Sequence, residues 1–445
     1  MNDQDFENKI DENLEIRVSE KDEFGEVMTP SVLIHEILDN LPKKVWTEPE
    51  FKWLDPAAGS GNFFMLVYNR LMRSLVKIPM TRRREHILTK MLYMVEINPD
   101  NTKILRKLFG KEANIETCDF LDNSNSSSIF DVIIGNPPFQ STKKDKYVGA
   151  VGKKTLWDKF IVKSLNLLNN NGFLGFITPA NWRRPEAELY NKMTKENHLH
   201  FLHIYSKSQG KEIFHVGTRF DVYIIQKRES STDYAGDSSR TTIIDEMGEI
   251  DHDFDMKKWP FLPNYNYKNL GKIIQQDINS QKNNCVNVIF DSSLYDARHL
   301  SKRKTPKFHY PVVHTITNNG LGIRYADNKS PHQFGVSKVL LNFNEQQYPY
   351  NDYNGQYGMS QLTFGIPINS KSEGDRIIDA INSPAFREII RATKWGAFQT
   401  DYRMFKYFKR DFYENPIFIK PHKHVRKFTS KYMRKHNMTK KIQIK

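Results

Sequence analysis

Phe51-Lys52-Trp53-Leu54-Asp55-Pro56-Ala57-Ala58-Gly59-Ser60-Gly61-Asn62-Phe63 is the stretch that decides the fold. Its first four residues read as a buried strand, the glycines mark a turn, and Phe63 to Val76 carries apolar residues at helical spacing. A strand that ends at an Asp and runs through a glycine-containing turn into a helix is a nucleotide-binding geometry, because glycine lets the backbone approach a ligand closely. An ordinary tight strand-to-helix turn gives the same pattern, so the neighbouring segments must weigh in.

They repeat the alternation of strand and helix. A second strand is expected at Met91 to Val95, closed by Glu96, then a helix from Asn101 to Phe109, a weak strand near Ile115-Glu116-Thr117, and a strand from Phe130 to Ile134. Leu156 to Leu168 reads as an amphipathic helix stopped by an Asn run and Gly172, and further strands fit Phe173 to Ile177, Phe201 to Tyr205 and Asp221 to Gln226. Short apolar strands alternating with helices build a parallel sheet covered on both faces, so the fold class is α/β and Rossmann-like. Small polar residues dominate ESSTDYAGDSSR, residues 229 to 240, which reads as a linker. Two domains are therefore expected, residues 1–235 and residues 241–445, the second an α+β domain with a basic tail.

The chain of 445 residues carries a formal net charge of +14, which fits a polyanionic partner. Its last 26 residues hold ten Lys or Arg and no acidic residue. The two cysteines, Cys118 and Cys285, stand far apart and outside any zinc spacing, so no disulfide framework and no metal site is expected. The acidic, polar N-terminus lacks the order of a signal peptide and no run approaches eighteen apolar residues, so a soluble, cytoplasmic protein without membrane association is expected.

The chemistry concentrates at strand ends. Glu96 falls where a doubly wound sheet presents a carboxylate to ribose hydroxyls, and Asp119 beside Phe120 fits a contact to an adenine amine with a ring over its face. The most specific element is Asn136-Pro137-Pro138-Phe139, directly after the Phe130 strand. Two prolines fix the backbone and leave carbonyls without competing donors. The Asn136 side-chain oxygen and the Pro137 carbonyl would accept hydrogen bonds from one amine and aim its lone pair at an electrophilic methyl, while Phe139 stacks on the base. An amine on a paired base is reached only if the nucleotide is flipped out of the helix.

With these residues in view, the chain resembles the amino-methyltransferases of DNA, in which an NPPF-type loop marks transfer to an exocyclic amine; Asn at the first position implies adenine N6. The order of segments is similar to the gamma arrangement. Phe24-Gly25-Glu26-Val27-Met28-Thr29-Pro30 matches its leading segment, with Thr29 at a carboxylate contact, although Thr-Pro is also a good helix start. The resemblance implies S-adenosyl-L-methionine as cofactor, held by Asp55, Ala57, Gly59, Gly61, Glu96, Asp119 and Phe120 as well as Thr29, with Asn136, Pro137, Pro138 and Phe139 as the catalytic loop. It also matches Phe214 to the aromatic on the second face of the flipped base, a position for which neighbouring Phe220 competes and a core role is equally open.

The implied partner is double-stranded DNA, read by a C-terminal target recognition domain in which Arg403, Lys406, Lys409 and Arg410 are candidate phosphate contacts. A restriction-modification system with a cognate endonuclease, or a stand-alone orphan or viral methylase, is the expected setting, and a monomer the expected state. Two other readings remain open at this stage: an N-methyltransferase for an RNA base or a protein glutamine, and a DNA-binding protein on a methyltransferase fold without catalysis.

Overall fold

The structure, a computed structural model, describes residues 28–122, 129–140, 155–229, 240–275, 284–396 and 400–418. The chain forms two compact units: Met1–Trp182 with Ala187–Lys257, and Arg183–Glu186 with Lys258–Lys445.

The first unit is built on one nine-stranded sheet. In chain order its elements are helix α1 (Ser31–Asn40), β1 (Trp53–Asp55), α2 (Asn62–Ser74), β2 (Leu92–Glu96), α3 (Pro99–Phe109), β3 (Asn114–Thr117), β4 (Phe130–Gly135), α4 (Trp157–Leu167), β5 (Leu168–Pro179), β6 (His198–Tyr205), α5 (Lys207–Phe214), β7 (Phe220–Gln226), β8 (Thr241–Ile244) and β9 (Ile250–Phe254). The strand order is β3-β2-β1-β4-β5-β7-β6-β8-β9. Strands β1 to β5 run parallel, β7 is inserted antiparallel to both β5 and β6, and β8 returns parallel to β6. The order reverses direction between β1 and β4, and in such sheets the crevice at the carboxyl ends of the two diverging strands is where ligands sit. This is the Rossmann-like α/β sheet expected from the strand and helix alternation.

Burial explains why these segments chose strand. Trp53, Leu54, Met94, Val132, Ile133 and Ile134 lie in the core, so the central strands read as continuous apolar runs and not as alternating ones. Helix α1 buries Leu33, Ile34, Ile37 and Leu38. It comes so close to the sheet that a Cβ on Gly175 of β5 would stand 2.6 Å from Ile37 Cγ2. Glu36 of α1 binds His203 of β6 and accepts a 2.7 Å hydrogen bond from the Tyr205 hydroxyl, and Arg70 of α2 pairs with Asp39 at 2.6 Å. The segment ahead of β1 is thus tied to both the sheet and α2.

The expected division at residues 235 and 241 is displaced. Most of the anticipated linker, 230–239, lies outside the described residues, and beyond it β8 and β9 join the first sheet. The edge of β6 offers unpaired backbone groups that a further strand satisfies, so a change of composition marked a connection within the unit, and the unit itself continues to Lys257. The Asn run expected to precede a strand at Phe173 is itself part of it: β5 starts at Leu168, and the Asn169 amide donates to Asp131 Oδ1 at 2.9 Å.

The second unit mixes two three-stranded sheets with helices. Its main elements are α6 (Tyr267–Ile273), β10 (Tyr310–Thr317), β11 (Gly320–Ala326), β12 (Lys338–Asn342), β13 (Tyr350–Asp352), β14 (Gly358–Met359), β15 (Thr363–Pro367), α7 (Lys371–Asn382) and α8 (Pro384–Ala392). The sheets run β11-β10-β14 and β13-β12-β15. Ser383 caps α8 by accepting from the Phe386 amide, with Pro384 at the first helical position. Phe386 then packs among Phe405, Phe408, Phe412 and Phe418. Lys338 is fully buried and its ammonium is satisfied by Asp352 at 2.7 Å and by the carbonyls of Gln333 and Val336.

Candidate active site

The turn after β1 is a self-contained piece of geometry. Gly59 and Gly61 take positive φ values of +52° and +91°. A Cβ on Gly61 would meet Leu105 and Phe109 at 2.8 and 2.9 Å, so this glycine is required both by its backbone and by the close passage of α3. The Ala58 amide donates to the Val95 carbonyl at 3.0 Å, stitching the turn to β2.

Asp55 closes β1. It is 1% exposed, and its Oδ1 accepts from the Ala57 amide at 3.1 Å. Burial, reinforced by the nearby Glu96 charge and opposed by the Ala57 bond, pushes its carboxyl up to about 8. The neighbouring end of β4 carries Gly135, where a Cβ would stand 2.9 Å from Asp55 Oδ1; only a residue without a side chain fits beside the acid. Glu96, at the end of β2, accepts from the Gly59 amide at 2.7 Å through Oε2 and from the Asn98 amide at 2.8 Å through Oε1. Burial raises its carboxyl above the ordinary value, while those amides and the Asn101 side chain pull it back down. Glu96 therefore holds the glycine turn in place through both of its oxygens.

At the third strand, Asp119 caps its own loop by accepting from the Leu121 amide at 2.8 Å. Phe120 is 5% exposed: its ring stacks on Phe160 at 5.2 Å, and Lys163 stands over it at 4.9 Å while donating to the Phe120 carbonyl. The ring expected to lie over a ligand is packed on helix α4, because an apolar side chain beside a strand end finds more contact in the core.

The loop after β4 differs. The Asn136 amide Nδ2 donates to Thr29 Oγ1 at 3.0 Å, and Asn136 Oδ1 is buried with no hydrogen-bond partner. A buried polar atom without a partner costs free energy and is uncommon in folded proteins, which makes this acceptor the most informative atom of the site. Pro137 is buried, while Pro138 and Phe139 are half-buried, and the Phe139 carbonyl accepts from the Leu156 amide at 3.3 Å. Of the leading segment, Phe24 to Val27 lie outside the described residues; Met28 Sδ accepts from the Ser60 hydroxyl at 3.6 Å, so Met28 and Thr29 bridge the glycine turn and the Asn136 loop.

Phe214 does not stand in the open. It is 5% exposed and packs edge-on to Phe220 at 4.9 Å in the core below β6 and β7, the commoner fate of a Phe at a helix end. Residues that sequence reading missed are Gly135, Asn98 and Asn101. An Asn-Pro at 98–99, a helix-start signal two residues after Glu96, could have pointed to the last two. In the second unit Arg403 is held by Asp401 at 2.8 Å and Lys406 by Glu186 at 3.0 Å. Lys409 donates to the Lys272 carbonyl at 3.1 Å, and it lines with Arg410 a polar cleft of about 680 Å³ that also includes Arg376, Gln275 and Asn284. The basic tail lies outside the described residues.

A sheet that reverses at β1 and β4, a glycine turn braced by an acid, and a rigid Asn-Pro-Pro loop facing it define the α/β class of methyltransferase folds. Residues 67–214 match the Eco57I restriction-modification methylase family. An adenine-specific methylase of Mycoplasma pneumoniae, itself uncharacterised, is 24% identical over 41% of this chain and 63% of its own length. The type II methyltransferase M.VspI of a Vibrio species is 30% identical over 36% of this chain and 38% of its own. Among solved structures, the type IIL restriction-modification enzyme MmeI in complex with DNA is 13% identical, with a TM-score of 0.46 over 85% of this chain and 64% of that one. The M protein of the type I restriction enzyme EcoKI is 14% identical, with a TM-score of 0.39 over 60% and 59%. The chain spans less than two thirds of the length of the two curated relatives it matches. Over the matched residues the chain is similar to restriction-modification methylases, the likeness that the NPPF loop implied.

Proposed function

We propose that this chain transfers a methyl group from S-adenosylmethionine to N6 of a flipped adenine in double-stranded DNA, as the modification activity of a restriction-modification system. The observation that carries the reading is the buried, unpartnered Oδ1 of Asn136 at the carboxyl end of β4. Such an atom is satisfied by a donor that arrives with the substrate, and an exocyclic amine is that donor.

The residues present fit the cofactor. Gly135 and the Gly59–Gly61 turn leave backbone room next to two acids, and Glu96 stands at the end of β2, where a carboxylate meets ribose hydroxyls in such sheets. When bound, S-adenosylmethionine supplies an electrophilic methyl on a sulfonium. Asn136 Oδ1 and the Pro137 carbonyl accept the two amine hydrogens, which draws the nitrogen lone pair out of conjugation with the ring and towards the methyl. The prolines hold both acceptors at fixed positions, so catalysis rests on orientation and electrostatics. Phe139, half-buried beside them, stacks on the base and offsets part of the cost of flipping it. The excess proton on the methylated nitrogen leaves to solvent. The second unit supplies DNA contacts, with Lys409 and Arg410, which line a polar cleft together with Glu373 and Asp411, as the phosphate-binding residues.

The test is incubation of the purified protein with tritiated S-adenosylmethionine and unmethylated genomic DNA, in parallel with RNA and with a protein mixture, followed by nucleoside analysis. Label in N6-methyladenine from DNA is the expected result. Label confined to RNA or protein would overturn the substrate, and none in any substrate would overturn the reaction.

A further inference from the structure

An asparagine side chain presents an oxygen on one arm and an NH2 on the other, and the two arms are nearly the same shape. For Asn136 to receive an amine, the oxygen must be the arm that points to the substrate; turned by half a rotation, it would oppose donor to donor. The backbone of a Pro-Pro loop fixes where the side chain starts, but not which arm faces in. In this structure the two arms meet different surroundings. The NH2 arm donates to Thr29 Oγ1 at 3.0 Å, Thr29 is 5% exposed, and the other arm, Oδ1, is buried without a partner.

We infer that Thr29 is a positioning residue for Asn136, its hydroxyl holding the carboxamide so that Oδ1 faces the substrate amine. The inference rests on the proposed methyl transfer. A hydroxyl can donate to an oxygen as readily as it accepts from an NH2; once its one hydrogen is given to a carboxylate, the contact expected from the leading segment, Thr29 can only accept, and it holds the NH2 arm. One atom thus joins the cofactor side to the amine side. Thr29 is held in turn by α1, which starts at the next residue but one and is anchored through Glu36 to His203 and Tyr205.

The experiment measures single-turnover methyl transfer to unmethylated genomic DNA at saturating S-adenosylmethionine, cofactor affinity by calorimetry without DNA, and the thermal midpoint of each variant. Thr29→Val, which keeps the shape and loses the hydroxyl, is expected to slow transfer about tenfold or more at saturating cofactor. Thr29→Ser is expected to stay within about twofold of wild type. A Thr29→Val protein that binds cofactor more weakly yet transfers at the wild-type rate once saturated would overturn the inference and leave a cofactor contact alone. A second arm uses Asn136→Asp, whose carboxylate offers an acceptor in either rotation: adding Thr29→Val to it should change the rate by less than about twofold, and an equal loss in both backgrounds would overturn the positioning role. Wild type that labels no DNA would instead remove the proposed function and the inference with it.

Discussion

The turn after β1 and the loop after β4 lie at the same edge of one sheet, and they treat their polar atoms differently. On the β1 side Glu96 has both oxygens bonded to backbone amides and Asp55 is bonded to Ala57, so both acids are braced by the turn itself. On the β4 side Asn136 holds one arm to Thr29 and leaves the other buried and unused. The first wall is built to keep a shape and the second to keep an appetite. A binding surface tolerates the loss of one of several braces, whereas a reacting group held by a single atom does not.

The largest effect should follow from attacking the second wall. Asn136→Ala is expected to lower methyl transfer by about a hundredfold to a thousandfold or more, by analogy with the loss of one oriented polar group at a transition state, and to leave cofactor affinity within a few fold. Transfer assays paired with calorimetry check it; turnover retained by this variant would erase the distinction between the walls.

Next comes the buried acid of the first wall. Asp55 is pushed up to about 8 by burial, well above its unfolded value. With the folded value raised, the folded form binds more protons, so its stabilising contribution is full in acid and is lost as pH rises towards about 8. Asp55→Asn removes this titration while still accepting from Ala57. Against wild type, the variant should therefore gain stability between about pH 5 and about pH 8, by on the order of 3 kcal/mol. Denaturant unfolding at the two pH values measures the difference, and parallel curves would show the acid to be already ionised.

Gly61→Ala strikes the shape of the same wall. The positive φ and the contacts at 2.8 and 2.9 Å predict a loss of roughly 2–4 kcal/mol in stability and weakened cofactor binding. Unfolding within error of wild type would mean that α3 can shift and that the turn is less fixed than its hydrogen bonds imply.

The smallest effect lies away from both walls. Lys409→Ala with Arg410→Ala should reduce the dependence of DNA affinity on salt by about two phosphate contacts, whereas Lys406→Ala, already paired with Glu186, should change it less. Filter binding across a salt series separates the two cases, and equal slopes would move the DNA contact elsewhere.

What could be read from the chain beforehand follows the reach of the forces involved. The strands β1, β2 and β4 announce themselves because each is a short, largely apolar run closed by a turn. β9 could not be read, since Ile250-Asp251-His252-Asp253-Phe254 is polar and mostly exposed and is a strand only because β8 offers it an edge. The residue types of the NPPF loop were legible, and so was its place directly after β4. The grip of Thr29 on Asn136 was not, because 107 residues separate them and no local pattern encodes it. Phe214 and Phe120 show the converse: an aromatic at the right place in a pattern settles in the core when the core lies nearer. In the second unit, the Lys338–Asp352 pair and the phenylalanine cluster join segments that no local pattern pairs.

The anchoring of α1 also sets a clock. Glu36 meets His203 and Tyr205 across 167 and 169 residues. A ribosome adding 5–20 residues per second needs roughly 8–34 s to make that stretch. For most of that interval Leu33, Ile34, Ile37 and Leu38 have been synthesised, but β5, which packs on Ile37, and β6 have not. The helix that completes the site is made early and docked late, and a nascent chain halted between the two carries a greasy face that chaperones or neighbouring chains will find first.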